Sequence, residues 1–180
     1  MKFFVDTAEI KEISELSEMN LVDGVTTNPS LIMKSGQQPD TVYFDLFKLG
    51  VKDISMEVVS NSSQGMLEEA DQLVNKFHDV VTIKVPCTRE GLIACKQLSD
   101  RGIRVNVTLI FSASQAILSA KAGATYISPF VGRVDDQRFG GCNLIKRIRE
   151  VLPYDSCEIL SASIRSVGDV EHSFAQGADI

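Results

Sequence analysis

The chain offers little for binding metal. Its four cysteines, Cys87, Cys95, Cys142 and Cys157, contain no CxxC pair, and only His78 and His172 could join them. That excludes a convincing zinc set and leaves reduced thiols in a cytoplasm as the best fit. An excess of positive charge is absent too. Eighteen Lys and Arg stand against 24 Asp and Glu, for a net charge of -6, and the basic residues are scattered, which argues against a general nucleic-acid or membrane surface. No apolar run opens the chain: Asp6 arrives too early for a signal-peptide core or a membrane span, so secretion is not expected and a cytoplasmic location is. No low-complexity stretch or linker divides the sequence, and Ser35-Gly36-Gln37-Gln38-Pro39 reads only as a helix-breaking loop. What is present is 180 residues, 44% hydrophobic and 23% charged, enough for the core of one soluble globular domain spanning 1–180.

Short β-branched runs alternate with amphipathic stretches. The pattern predicts strands over 2–6, 22–28, 54–59, 80–86, 104–110, 126–131 and 158–163, with a further one opening at Ala178-Asp179-Ile180. Between them Ile10, Ile13 and Leu16 share a helical face, as do Leu67, Ala70, Leu73, Val74 and Phe77. Ser112 with Gln115 and Ser166 with Asp169 have capping-box spacing, and Gly102 and Gly123 sit where helices end. Such alternation means parallel strands with crossover helices, either a (β/α)₈ barrel or an open doubly wound sheet. Parity separates the two. One strand face carries Asp6, Thr26, Asn28, Ser55, Glu57, Thr82, Lys84, Asn106, Thr108, Ser128, Ser161 and Ser163; the other is mostly apolar, with Phe3, Val5, Val25, Met56, Val58, Val81, Ile83, Val85, Val105, Val107 and Leu109. A sheet covered by helices on both faces would be apolar throughout. The expected fold is therefore an α/β (β/α)₈ TIM barrel with a polar pocket at the C-terminal strand ends.

Of the ten lysines, only Lys84 is flanked on both sides by apolar strand formers, in Val80-Val81-Thr82-Ile83-Lys84-Val85. Desolvation disfavours an ammonium, so an amine there can fall from about 10.4 toward neutrality and attack carbonyl carbon. Pro86 ends the strand just beyond it. The plainer reading, a strand-end lysine snorkelling to water, suits an arbitrary lysine better than this one. With carboxylates at Asp6 and Glu57 and donors at Asn28, Asn106, Thr108 and Ser128, the set fits Schiff-base chemistry: an imine draws electrons from a neighbouring C–C bond once a base removes the adjacent hydroxyl proton. Taken singly, Asp6 reads as an N-cap, Glu57 as a half-exposed strand residue, and the Asn and Thr side chains as layer filling.

Seven segments carry a resemblance: Phe3-Phe4-Val5-Asp6-Thr7-Ala8, Gly24-Val25-Thr26-Thr27-Asn28-Pro29-Ser30-Leu31, Ser55-Met56-Glu57-Val58, Thr82-Ile83-Lys84-Val85-Pro86, Asn106-Val107-Thr108-Leu109-Ile110-Phe111-Ser112, Ile127-Ser128-Pro129-Phe130-Val131-Gly132-Arg133 and Ser161-Ala162-Ser163-Ile164-Arg165. In order and spacing the chain resembles the transaldolase family along its whole length, in the short branch that also holds fructose-6-phosphate aldolases. The resemblance implies a class I aldolase-like barrel that needs no cofactor or metal, in which Lys84 forms the Schiff base, Asp6 is the acid/base for cleavage, and Glu57 with Thr108 handles the catalytic water. Asn28, Asn106 and Ser128 would hold the dihydroxyacetone fragment, with Thr26 and Phe130 also in contact with substrate. Arg133, Ser163 and Arg165 would form the phosphate site, a role suited to guanidiniums.

Glu57 and Phe130 resemble the true transaldolases, whereas the aldolase branch resembles the set with glutamine and tyrosine. The implied reaction moves dihydroxyacetone from sedoheptulose 7-phosphate or fructose 6-phosphate to glyceraldehyde 3-phosphate or erythrose 4-phosphate, as in the pentose phosphate pathway. The alternatives are an aldolase that releases free dihydroxyacetone and a non-catalytic sugar-phosphate-binding relic. Partners would be sugar phosphates and further copies of the chain in a homo-oligomer, with neither nucleic acid nor membrane. The family continues beyond Ala178-Asp179-Ile180, so a barrel truncated at strand eight is the expectation.

Overall fold

Strand ends feed directly into helix caps throughout this chain, and that local grammar sets the architecture. A computed structural model describes residues 1–138 and 140–180. It divides into two units, residues 2–84 and residues 85–180, with the division falling inside the fourth strand after Lys84.

The first unit runs β1 (Phe4–Asp6), α1 (Ile10–Glu18), β2 (Gly24–Thr26), α2 (Pro29–Ser35), α3 (Pro39–Leu49), β3 (Ile54–Glu57), α4 (Ser63–Phe77), a 3-10 turn at His78–Val80, and β4 (Val81–Pro86). β1, β2, β3 and β4 pair in that order, all parallel. Asn28 caps α2 by accepting from the Leu31 N–H at 3.0 Å, and Ser62 caps α4 by accepting from Gly65. Gly36 ends α2 with φ 72°, in the left-handed region that a residue without Cβ enters freely, so the Ser35–Pro39 break is as the sequence predicts. Phe77 is fully buried, with its ring edge-on to Tyr43 at 6.1 Å and to Phe47 at 6.2 Å. Burial of such a side chain stabilises by about 1.5–3 kcal/mol and fastens α4 to α3.

The second unit runs α5 (Arg89–Asp100), β5 (Arg104–Ile110), α6 (Ala113–Lys121), β6 (Tyr126–Pro129), α7 (Val131–Asp136), α8 (Gly141–Val151), β7 (Glu158–Ile159) and α9 (Val167–Ala175). β5, β6 and β7 pair parallel in sequence order. Ser112 caps α6, and Ser166 with Asp169 forms the capping box anticipated for α9. Gly102 and Gly123 take φ 76° and 91° beyond α5 and α6. Beside β7, the Ile180 N–H donates to the Ile159 carbonyl and the Ser161 N–H to the Ile180 carbonyl, the exchange of one parallel bridge rather than a strand. Arg149 fastens this stretch by donating to the Gly177 carbonyl and pairing with Asp179, while its guanidinium lies 4.2 Å over the Tyr154 ring.

Several strands are shorter than their apolar runs. Over 22–28 the ladder covers 24–26, because the Asp23 carboxylate accepts from the Phe3 N–H before it and Asn28 turns away to cap α2 after it. Over 158–163 the ladder stops at Ile159, and only a bridge between Phe130 and Ala162 continues it before Ser163 turns to φ 61°. Leu109 departs from the parity expected of it. The β5–β6 register shifts between Val107 and Ile110, so two residues oppose one, and Leu109 takes φ 61° and is 41% exposed. That bulge shifts the alternation by one and turns Ile110 into the core instead.

Candidate active site

In the first unit the polar parity resolves into two rungs on one sheet face. Register places Asp6 beside Thr26, Thr26 beside Ser55, and Ser55 beside Thr82; one rung nearer the C-terminal ends, Glu57 stands beside Lys84. Paired residues of parallel strands point to the same side, which is why alternation in the sequence becomes a patch in space. Thr82 donates to the Asp53 carboxylate at 2.7 Å.

Lys84 is only 6% exposed. Its Nζ donates to the Thr27 carbonyl at 3.0 Å and lies 3.1 Å from Glu57 Oε2. A buried ammonium is tolerable when it meets such oxygens. Asp6 lies close enough to feel both charges. Desolvation pushes its carboxyl above the ordinary aspartate range, the Lys84 ammonium draws it back, and the Glu57 carboxylate pushes it up again. The side chain keeps accessible surface at the end of β1, and water there screens these charges. A carboxyl of raised proton affinity beside a buried amine can take and return a proton. Thr26 is buried on the rung of Asp6, and Asn28, its Oδ1 committed to the α2 cap, keeps its amide N–H groups to donate.

In the second unit Ser128 donates to Asn106 Oδ1 at 2.7 Å, both residues being buried. The Thr108 hydroxyl is buried and makes no hydrogen bond with the described residues; its residue stands at the bulge before Leu109. The Phe130 ring lies edge-on to Phe111 at 5.7 Å and brings no polar group. Arg133 is exposed on α7. The Gly132 N–H donates to the Ser163 carbonyl at 3.1 Å, which sets the start of α7 against the segment bearing Ser163 and Arg165. Arg165 pairs with Asp136 at 2.9 Å, both side chains about half exposed. A phosphate at Arg165 would compete with that carboxylate.

Residues outside the sequence reading also bear on the site. Thr27 supplies its backbone carbonyl to Lys84, and no side-chain pattern announces a carbonyl. Asp136 engages Arg165 across 29 positions, beyond any local periodicity. Tyr43 lies behind the strands on α3 and reads as an ordinary core position. A cleft of about 510 Å³, lined by Pro29, Ile32, Tyr43, Glu57, Glu69 and Lys76 among others, reaches the site through Glu57; neither Lys84 nor Asp6 lines it. Among the described residues no His, Cys, Asp and Glu group could hold a metal ion, and no helix is long and apolar enough to cross a membrane.

A family model described as Transaldolase/Fructose-6-phosphate aldolase matches residues 3–180. The chain belongs to that family. A probable transaldolase of Paracoccus denitrificans (strain Pd 1222) is 52% identical over 182 residues, covering all of this chain and 83% of that protein. Probable transaldolases of Chelativorans sp. (strain BNC1) and Jannaschia sp. (strain CCS1) are each 53% identical, over 182 and 184 residues, with the same coverage. Family membership supports an enzyme.

Proposed function

We propose that the protein is a transaldolase that moves a dihydroxyacetone unit from a ketose phosphate to an aldose phosphate through a Schiff base on Lys84. The observation that carries this is the buried Lys84 nitrogen, 3.1 Å from Glu57, with a carboxyl of raised proton affinity at Asp6 nearby. The Lys84 amine attacks the ketone carbon of the donor. The resulting carbinolamine loses water, with Glu57 and the Thr108 hydroxyl exchanging the protons of that water. Asp6 then takes the proton of the hydroxyl β to the imine carbon, the bond between the α and β carbons breaks into the imine, and the aldose departs. The three-carbon enamine stays on Lys84 until an acceptor aldehyde enters and the steps reverse.

The family resemblance assigns the other roles, on a (β/α)₈ scaffold. Asn28, Asn106 and Ser128 hold the hydroxyls of the fragment, Thr26 and Phe130 border it, and Arg133, Ser163 and Arg165 take the phosphate. Phe130 supports transfer over simple cleavage. A phenyl ring against Phe111 offers no proton to the bound carbanion, whereas a phenol there would.

Borohydride reduction with fructose 6-phosphate, followed by intact mass and peptide mapping, tests the proposal. A three-carbon adduct is expected on Lys84 and is lost in Lys84→Ala. An adduct on Lys52 or Lys121 with Lys84 unmodified would sink the assignment, and dominant release of free dihydroxyacetone would favour the aldolase reading.

A further inference from the structure

The two oxygens that grip the Lys84 ammonium belong to Thr27 and Glu57, on neighbouring strand ends. Thr27 is also tied to a buried phenol. Tyr43, on α3 and only 4% exposed, accepts from Thr27 Oγ1 at 3.4 Å. The Thr27 hydroxyl divides its donation between Tyr43 and the Ser55 carbonyl, likewise at 3.4 Å. These are long, shared hydrogen bonds, so each is weak, yet together they tie the end of β2 at Thr27 both to α3 and to β3 beside it. The Tyr43 ring is held independently by Phe77.

We propose that Tyr43 is a positioning residue: through Thr27 it fixes the carbonyl oxygen that, with Glu57, holds the Lys84 nitrogen in line for imine formation. The phenol touches neither substrate nor the reacting amine. Its effect is therefore expected on the rate of the chemical step and not on sugar affinity. This rests on the reading of Lys84 as the imine-forming residue.

Tyr43→Phe removes the hydroxyl and keeps the ring against Phe77, and thermal melts check that the fold survives. At saturating fructose 6-phosphate, borohydride trapping at Lys84 should slow by about tenfold while the half-saturating concentration stays within about twofold. Thr27→Ser should keep the unmodified rate, Thr27→Val should lose as much as Tyr43→Phe, and the double variant Tyr43→Phe/Thr27→Val should be no slower than either single change. A Tyr43→Phe rate within about twofold of the unmodified protein, or a double-variant loss equal to the product of the single losses, overturns the proposal.

A second readout needs no sugar. Reductive methylation with formaldehyde and cyanoborohydride, mapped by peptide, should change at Lys84 by about threefold or more in Tyr43→Phe relative to the exposed Lys52 and Lys121. An unchanged ratio overturns the positioning role. If the unmodified protein traps no sugar adduct, it is the functional reading that fails, and the methylation ratio still decides whether Tyr43 holds the lysine.

Discussion

Asp6, the proposed acid/base, would serve chemistry at the expense of stability. Because burial, the largest influence, raises its proton affinity, the folded protein holds that proton more tightly than the unfolded chain does. Its stabilising contribution is then fully present below the ordinary aspartate value and fades as pH rises through the raised one. Asp6→Asn removes this dependence. The variant should melt at least as high as the unmodified protein near neutral pH, with the difference shrinking toward about pH 4, while turnover falls on the order of a hundredfold or more. Thermal melts across that range, paired with steady-state rates, check both halves. A variant that melts lower at neutral pH would mean that ionised Asp6 is held by its partners rather than merely tolerated.

At the scale of elements, caps and close approaches hold the site residues in place. Asn28 ends β2's excursion and starts α2 with the same side chain. Asn28→Asp keeps the accepting oxygen and adds a charge that a helix N-terminus favours, but it loses the amide N–H groups. It should melt within a few degrees of the unmodified protein yet turn over about tenfold or more slowly, whereas Asn28→Ala should also lose about 1 kcal/mol of stability. Denaturant titration beside kinetics separates cap from contact. Gly132 makes the second case. A Cβ there would stand 2.1 Å from the Ser163 carbonyl oxygen and 2.8 Å from Arg165 Cγ, so Gly132→Ala must push the Ser163–Arg165 segment away at a cost of about 1–3 kcal/mol. Its KM should rise for phosphorylated acceptors and hardly change for an unphosphorylated aldehyde; equal losses on both would assign Gly132 to folding alone.

At the scale of the whole molecule, a net charge of -6 means that a dianionic sugar phosphate must be bound by local cations against the overall field. Binding should appear as stability. At about a hundred times its dissociation constant a ligand stabilises by about 2.7 kcal/mol, or about 5–10 °C for a chain of this size. Fructose 6-phosphate should produce that shift in a thermal melt and fructose should not. A flat response to both sugars would count against a sugar-phosphate site.

The sequence by itself determined whatever depends on local periodicity and identity. Strand parity anticipated that Ser55, Thr82, Lys84, Asn106 and Ser128 are buried polar residues, and cap spacing anticipated Ser112 and Ser166. Such features were legible because side-chain alternation and capping depend on residues only a few positions apart. The family was legible for a related reason, since its motifs are short and contiguous. Tertiary structure alone decided that the Thr27 carbonyl meets Lys84 from 57 positions away, that Arg165 spends its charge on Asp136, and that Leu109 is turned out by a bulge. It also decided that the Tyr43 phenol accepts from Thr27 across 16 positions. A backbone carbonyl carries no residue identity, a bulge depends on the register of the neighbouring strand, and an ion pair across 29 positions follows no helical or strand period. Those relations exist only after the strands have paired and the helices have packed.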